Sequence, residues 1–303
     1  RDLHSFPTRR SSDLKEDLTK RLGNGTLILD GATGSNLMKA GMPKGICTEQ
    51  WVAEHPDAIM ELQKAYAEAG SDIVYAPTFM ANPLSLATHG LAAETERLNH
   101  TLVGLSRKAV GDQVLVAGDL TTSGKLMEPL GPMKYEDLYE SYKKQISCLA
   151  DAGVDLLVAE TMLASNETLV ILDAAQSVCD LPVFCTLTME ADGSLFFGGN
   201  IFDAVEELEA MGAFAVGCNC STGPDQLESV IAGIRQRVSI PVIAKPNAGM
   251  PTISPETGEA VYSMEPEEFA KSMLKLKAAG ASILGGCCGT TPEFIRELKK
   301  ALN

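Results

Sequence analysis

Several residue types are scarce in this sequence, and each scarcity excludes a class of protein. Only 4 of the 303 residues are histidine and 1 is tryptophan. The histidines fall in predicted loops, helices and the amino-terminal stretch, which argues against histidine metal ligands and a Ser/His/Asp triad. No run of about 18 apolar residues occurs, so no membrane span is predicted. The 8 cysteines are too few at this length for a disulfide framework.

Positive charge is also in short supply. The chain has 25 Lys and Arg against 40 Asp and Glu, a net charge of −15, and no basic stripe interrupts this excess. Such a surface repels nucleic acid, so we expect small molecules or proteins as partners. The 45% hydrophobic content predicts a globular protein with a sizeable core.

The first residues differ from the rest. Arg1 to Leu14 are polar, rich in serine and arginine, and show no periodicity. We therefore predict a non-native or disordered tail at 1–14 and a single domain at 15–303. The stretch lacks the apolar core of a signal peptide, so we expect a cytoplasmic protein with reduced thiols.

From residue 27 onward, short apolar runs alternate with amphipathic stretches. Runs of this kind are typical of strands buried on both faces of a parallel sheet. Glycine follows the predicted helices at positions 70, 153, 212 and 280, which suits a helix C-cap. Eight strand–helix units nearly fill the chain, so the sequence predicts a single-domain α/β fold, the (β/α)8 TIM barrel, with an open doubly wound sheet as the alternative. The predicted strands are 27–30, 72–76, 114–119, 155–160, 182–188, 213–219, 241–245 and 282–286.

Cysteines stand where two of these strands end. In a barrel the carboxyl ends converge on one mouth, so Cys220, Cys287 and Cys288 could hold a tetrahedral zinc ion with its fourth position open. Cys218 could point the same way as Cys220, but Cys220 lies farther toward the mouth. The alternative is that these are small buried hydrophobic side chains.

A zinc ion held by three thiolates suits one kind of chemistry. It can bind a substrate thiol at the open position and hold it as a thiolate, whereas a free thiol, with a pKa of about 8.5, is mostly protonated at neutral pH. Zinc hydrolases more often use histidine and carboxylate ligands. The pattern therefore favours thiol alkylation over hydrolysis, with no catalytic side chain predicted beyond the zinc site.

Carboxylates and glycines at other strand ends are candidates for substrate binding. Asp30 and Glu160 end buried strands and could bind a substrate ammonium, or could cap helices or be solvated charges. The loop from Gly31 to Gly34 offers main-chain N–H groups to a carboxylate. Asn247 could bind an amino-acid head group or hold a turn.

Five strand-end motifs together resemble the homocysteine S-methyltransferase family: LDGATGS, AET, NCS, PNAG and GGCCGTTP. Within it, the chain looks most like the homocysteine-binding domain of cobalamin-dependent methionine synthase, over roughly residues 24–302. The resemblance implies a TIM barrel, zinc on the three cysteines and homocysteine as methyl acceptor. The predicted substrate-binding residues are Asp30, Gly31, Gly34, Glu160, Asn219 and Asn247.

The sequence thus predicts zinc-dependent methyl transfer to homocysteine, giving methionine, with methylcobalamin on a separate corrinoid protein as donor. Alternatives are S-methylmethionine, S-adenosylmethionine or betaine as donor, or a non-catalytic zinc- or thiol-binding subunit of a methyltransfer complex. The chain departs from the family pattern at 77–79, which read Pro-Thr-Phe, at 121–122, which read Thr-Thr, and at Lys245, where the related domain often has an acidic or neutral residue.

Overall fold

The computed structural model describes residues 11–255 and 260–303. Eight parallel strands form a barrel surrounded by helices, which confirms the predicted fold and its eight strands. The barrel strands are β1 (Leu27–Ile28), β2 (Ile73–Tyr75), β3 (Leu115–Thr121), β4 (Leu156–Met162), β5 (Val183–Leu187), β6 (Ala215–Cys220), β7 (Val242–Pro246) and β10 (Ile283–Leu284). Between β7 and β10 lies a small antiparallel hairpin of β8 (Thr252–Ile253) and β9 (Ala260–Val261).

The two ends of the sheet meet, and this excludes the open doubly wound alternative. The strand order is β1-β10-β7-β6-β5-β4-β3-β2. A parallel bridge between Leu29 and Ile73 then joins β1 to β2. The main-chain N–H of Asp72 donates to the carbonyl of Ile28 at 2.7 Å, which ties the same seam together.

Helices connect the strands and cover the outside of the barrel. Four of them are followed within two residues by the glycines predicted at helix ends, and these glycines have left-handed φ values of 84° to 118°. Among the described residues, no helix is both long and apolar enough to cross a bilayer. The α-helices are α1 (Ser11–Asn24), α2 (Gly34–Lys39), α3 (Thr48–Glu54), α4 (Pro56–Ala69), α5 (Pro83–Ala87), α6 (Thr95–Val110), α7 (Tyr135–Asp151), α8 (Ser165–Val178), α9 (Ile201–Ala210), α10 (Glu228–Arg237), α11 (Pro266–Ala278) and α12 (Pro292–Leu302), with 3₁₀ turns at Ala92–Glu94 and Pro224–Gln226.

Helix α1 begins inside the segment predicted as a tail. The boundary predicted after Leu14 falls within this helix, and both Leu14 and Leu18 are buried. Leu18 packs with the side chains that fill the barrel interior. Leu14, Leu18 and Leu22 follow one another at helical spacing, and this spacing was the signal for helix α1. The serine and arginine residues before them made the segment look like a polar tail. Residues 1–10 of the predicted tail lie outside the described residues.

The barrel interior has an apolar floor and a polar upper layer. Alternation along β3 turns Leu115 and Ala117 inward, and the same rule turns Asp119 inward nearer the mouth. Strands β4, β6 and β7 repeat the arrangement, and near their carboxyl ends they carry the buried polar residues Glu160, Asn219 and Lys245. The carboxyl ends of the strands therefore bring several buried polar side chains together.

Candidate functional site

A cavity of about 370 Å³ opens at the carboxyl ends of the strands. Thiols and carboxylates from several different strand ends face it, as the barrel geometry requires of an active site. Seven residues predicted from the sequence line it: Asp30, Gly31, Gly34, Glu160, Cys220, Cys287 and Cys288.

The three cysteines form a cluster with the dimensions of a metal site. Their sulfur atoms all lie within 4.8 Å of one another, and the Sγ atoms of Cys220 and Cys288 are 3.7 Å apart. Tetrahedral bonds of about 2.3 Å to zinc would place two sulfurs roughly 3.8 Å apart. The cluster therefore fits a zinc ion, which these three cysteines would hold at the wall of the cavity.

A local backbone feature distinguishes Cys220 from Cys218. Cys218 obeys the alternation of β6 and is buried in the core between the barrel and its helices. Cys220 has a left-handed φ of 57° and Ser221 one of 61°, an uncommon conformation for residues other than glycine. This turn takes Cys220 out of the alternation of β6, and the Ser221 hydroxyl accepts a hydrogen bond from the Met189 N–H at 2.9 Å. Strained backbone of this kind is concentrated at functional sites.

The thiols cannot all ionise without a cation beside them. Hydrogen bonds from Cys220 and Cys287 lower the pKa of Cys288 to about 3. The same hydrogen bonding holds the proton on Cys220 and raises the pKa of that thiol. Three thiolates this close together would repel one another, and a divalent cation is what would allow all three to ionise.

The loop after β10 is fixed on both sides of the cluster. Thr290 accepts a hydrogen bond from the Ala32 N–H at 3.0 Å and donates one to the Cys287 carbonyl at 2.7 Å. Tyr262 packs beside this loop and helps to lower the pKa of Cys288. Gly289 has a φ of 83°, and a Cβ there would lie 2.5 Å from the ring of Tyr262. The motif therefore places two adjacent cysteines rigidly at the edge of the cavity.

A buried lysine lies between the two predicted carboxylates. The Nζ atom of Lys245 is 3.0 Å from Oε1 of Glu160 and 3.8 Å from Oδ1 of Asp30. The other oxygen of Asp30 accepts the Tyr75 N–H at 2.8 Å. Burial raises the pKa of Asp30 to about 7, against the opposing effect of Lys245. Burial also raises the pKa of Glu160, again opposed by Lys245.

Asp119 is a site residue that the sequence prediction missed. It lines the cavity, and its Oδ1 is buried without a hydrogen-bond partner among the described residues. Burial first, and the nearby Glu160 second, raise its pKa well above the usual range. The inward alternation from Leu115 and Ala117 was the signal that could have identified it.

The two predicted asparagines do not line the cavity. Asn219 is fully buried and makes two hydrogen bonds to Thr161. Its Oδ1 accepts from the Thr161 N–H at 2.9 Å, and its Nδ2 donates to the Thr161 hydroxyl at 2.7 Å. Thr161 has a left-handed φ of 58°, so Asn219 stabilises a strained backbone at the cavity wall. The N–H of Asn247 donates to the Thr222 carbonyl, and its buried Oδ1 has no partner among the described residues.

Replacing Asn219 with alanine is expected to lower the free energy of unfolding by about 1–3 kcal/mol, because two hydrogen bonds to a strained, half-buried segment are lost. Urea unfolding of the purified protein measures this. The exposed Asn24 supplies a control, since Asn24→Ala should change stability by less than about 0.5 kcal/mol. Equal effects of the two changes would show that Asn219 does not hold Thr161.

Comparison with known proteins agrees with this geometry. The family model described as "Homocysteine S-methyltransferase" matches residues 27–302. The methionine synthase of Mycobacterium leprae is 29% identical over 314 residues, which cover 94% of this chain and 25% of the relative. The methionine synthase of Mycobacterium tuberculosis is also 29% identical, over 99% of this chain and 26% of the relative. The chain thus spans about a quarter of the length of these curated relatives.

Solved structures share the fold. The metallated form of the homocysteine methyltransferase MmuM from Escherichia coli superposes with a TM-score of 0.78 at 24% identity, over 95% of this chain and 99% of that one. The oxidised form of the same protein gives a TM-score of 0.76. Because the family model covers nearly all of the barrel, the chain belongs to the homocysteine S-methyltransferase family.

Proposed function

We propose that this protein transfers a methyl group to the thiol of homocysteine, giving methionine, with a zinc ion held by Cys220, Cys287 and Cys288. The observation that carries the proposal is the cluster of three sulfur atoms within 4.8 Å at the wall of the cavity. Asp30 and Glu160 face the same space. Relatives named methionine synthase and homocysteine methyltransferase support homocysteine as the acceptor.

The residues that line the cavity have different roles in the proposed reaction. A zinc ion bound by the cysteines would supply a position at which the acceptor sulfur is held as a thiolate at neutral pH. The carboxylates of Asp30 and Glu160 face the amino end of the acceptor, and the Gly31–Gly34 loop faces its carboxylate. The sulfur–carbon bond forms as the bond from the methyl group to the donor breaks. The electron pair leaves with the donor, and the proton of the thiol passes to solvent.

For the donor, we propose methylcobalamin carried by a separate corrinoid protein. Support comes from the exposed apolar side chains of the described residues, which lie in the connections that leave the carboxyl ends of strands. Apolar side chains exposed around a site are typical of a surface that docks a macromolecule. These side chains are Met38, Ile46, Met80, Leu130, Tyr135, Phe196, Met250, Ile253 and Val261.

A small donor is the second candidate: S-methylmethionine, S-adenosylmethionine or betaine. One observation favours it. This chain matches 99% of the solved Escherichia coli chain, which is named a homocysteine methyltransferase. The solved chain that is named a homocysteine methyltransferase therefore corresponds almost entirely to the barrel described here.

The test supplies zinc-loaded protein and homocysteine with each donor in turn, and measures methionine by mass spectrometry. Turnover only with the methylated corrinoid protein, or with free methylcobalamin, supports the first donor. Turnover with one of the three small donors supports the second. Zinc binding without methionine from any donor would refute the enzymatic proposal and leave a non-catalytic zinc- or thiol-binding subunit.

Met250→Glu is expected to lower kcat/KM for the methylated corrinoid protein by about tenfold, because it places a charge on an apolar docking surface. Steady-state kinetics with free methylcobalamin should stay unchanged, since that donor needs no docking surface. Lys271→Glu, on the exposed face of α11, is the matched control. A loss of the same size with both donors would show that Met250 acts on the cavity and not on docking.

A further inference from the structure

Lys245 is a charged residue inside the acceptor cavity that the proposed reaction does not use. Strand β7 turns it into the barrel mouth, where its side chain is only 4% exposed. Its ammonium lies 3.0 Å from Glu160 and 3.8 Å from Asp30. It also lies 4.8 Å from the centre of the Tyr75 ring, whose face attracts a cation.

These contacts keep the lysine charged. Burial alone would lower the pKa of Lys245, but the carboxylates of Glu160 and Asp30 raise it well above the usual range. If Lys245 lost its proton, the buried carboxylates of Glu160 and Asp30 would be left without a positive partner, which is costly. Lys245 is therefore a fixed positive charge of the cavity, present before any acceptor enters.

A fixed cation here changes what the two carboxylates can select. Asp30 and Glu160 are the groups that would bind the ammonium of an amino-acid thiol, and each already faces the ammonium of Lys245. An incoming ammonium would have to share them with a like charge, which cancels much of the attraction. An acceptor without an amino group adds no positive charge that competes with the Lys245 ammonium for these two carboxylates.

We propose that Lys245 is a specificity-determining residue that lets the cavity accept thiol carboxylates lacking the α-ammonium group as well as homocysteine. The chemical class is a short aliphatic chain with a thiol at one end and a carboxylate at the other. The inference rests on the proposed function, since the thiol would bind the same metal. It concerns the end of the acceptor that carries the carboxylate and, in homocysteine, the amino group.

The first measurement uses the zinc-loaded wild-type protein and isothermal titration calorimetry. The probes are homocysteine and 4-mercaptobutyrate, which differ only in the amino group. We expect their dissociation constants to agree within about tenfold, because a site built to bind the missing group would discriminate by far more. A preference for homocysteine greater than this overturns the inference.

Variants then assign the effect to the lysine. Lys245→Met removes the charge at similar length and should shift the ratio of the two constants at least about tenfold toward homocysteine, because the two carboxylates are released for its ammonium. Lys245→Arg keeps the charge and should retain the wild-type ratio. Lys271→Met, on the exposed face of α11, controls for loss of a lysine elsewhere. An unchanged ratio in Lys245→Met overturns the inference.

Two outcomes separate this inference from the function on which it rests. If neither thiol binds the zinc-loaded protein, the proposed function fails and the inference fails with it. If homocysteine binds and 4-mercaptobutyrate does not, the inference alone fails. Should Lys245→Met not fold, by circular dichroism, the wild-type ratio and Lys245→Arg still decide the question.

Discussion

Cys287→Ala is expected to abolish zinc retention and homocysteine methylation while leaving the barrel folded. Cys287 contributes one of the three sulfurs of the cluster, which lie within 4.8 Å of one another. Cys220 and Cys288 alone cannot form a three-thiolate site, so we expect the zinc affinity and the methylation rate each to fall by more than about a hundredfold. Zinc content after dialysis, measured by mass spectrometry, and methionine formation check the two losses.

The fold should survive this change because the cluster lies at the mouth and contributes little to the core. The apolar floor of the barrel and the large apolar layer between strands and helices are separate from it. Far-ultraviolet circular dichroism of Cys287→Ala should match that of the wild type. A variant that loses its helical signal would show that the cysteines are needed for folding, as in small zinc domains.

Cys218 provides a matched control on the same strand as Cys220. It is fully buried among apolar side chains, and burial raises its pKa to about 12, so it stays a neutral thiol. Cys218→Ala should keep zinc and activity and lower stability by only about 1 kcal/mol, as expected for a small core truncation. Zinc loss in Cys218→Ala together with retention in Cys287→Ala would overturn the ligand assignment.

The sequence predicted the barrel because its signals are local. Strands buried on both faces appear as short apolar runs, and left-handed C-caps appear as glycines, as at Gly70 and Gly280. The convergence of Cys220 with Cys287 and Cys288 followed from topology alone, since parallel strands of a barrel end at one mouth. Prediction and structure therefore agree on the strands and on the end of the barrel where the cysteines meet.

The sequence was less informative where the role of a side chain depends on a residue of another strand. Asn219 looked like a substrate ligand, yet the left-handed turn at Thr161 on β4 captures its amide. In the sequence, Lys245 was only a departure from the family pattern. Its role depends on its contacts with Asp30 and Glu160, which lie at the ends of two other strands. Pairing across non-neighbouring strands has no signature within one segment of sequence.

Gly217→Ala is expected to produce the largest loss of stability, because β6 and β7 approach too closely there for any side chain. A Cβ at Gly217 would lie 2.0 Å from the carbonyl oxygen of Ile243, and backbone cannot move aside as a side chain can. We expect the free energy of unfolding to fall by roughly 3 kcal/mol or more, as for severe overpacking. Urea unfolding followed by circular dichroism measures the change.

Gly104→Ala is the matched control, since a Cβ at Gly104 meets nothing within 4 Å. Gly104 lies in the exposed interior of α6, where alanine should stabilise the protein by about 0.5–1 kcal/mol. The approach at Gly217 also sets the register that pairs Asn219 with Lys245 and Cys220 with Pro246. Any Gly217→Ala protein that folds should therefore bind zinc more weakly, whereas normal stability and normal zinc affinity would show that the two strands can separate without disturbing the site.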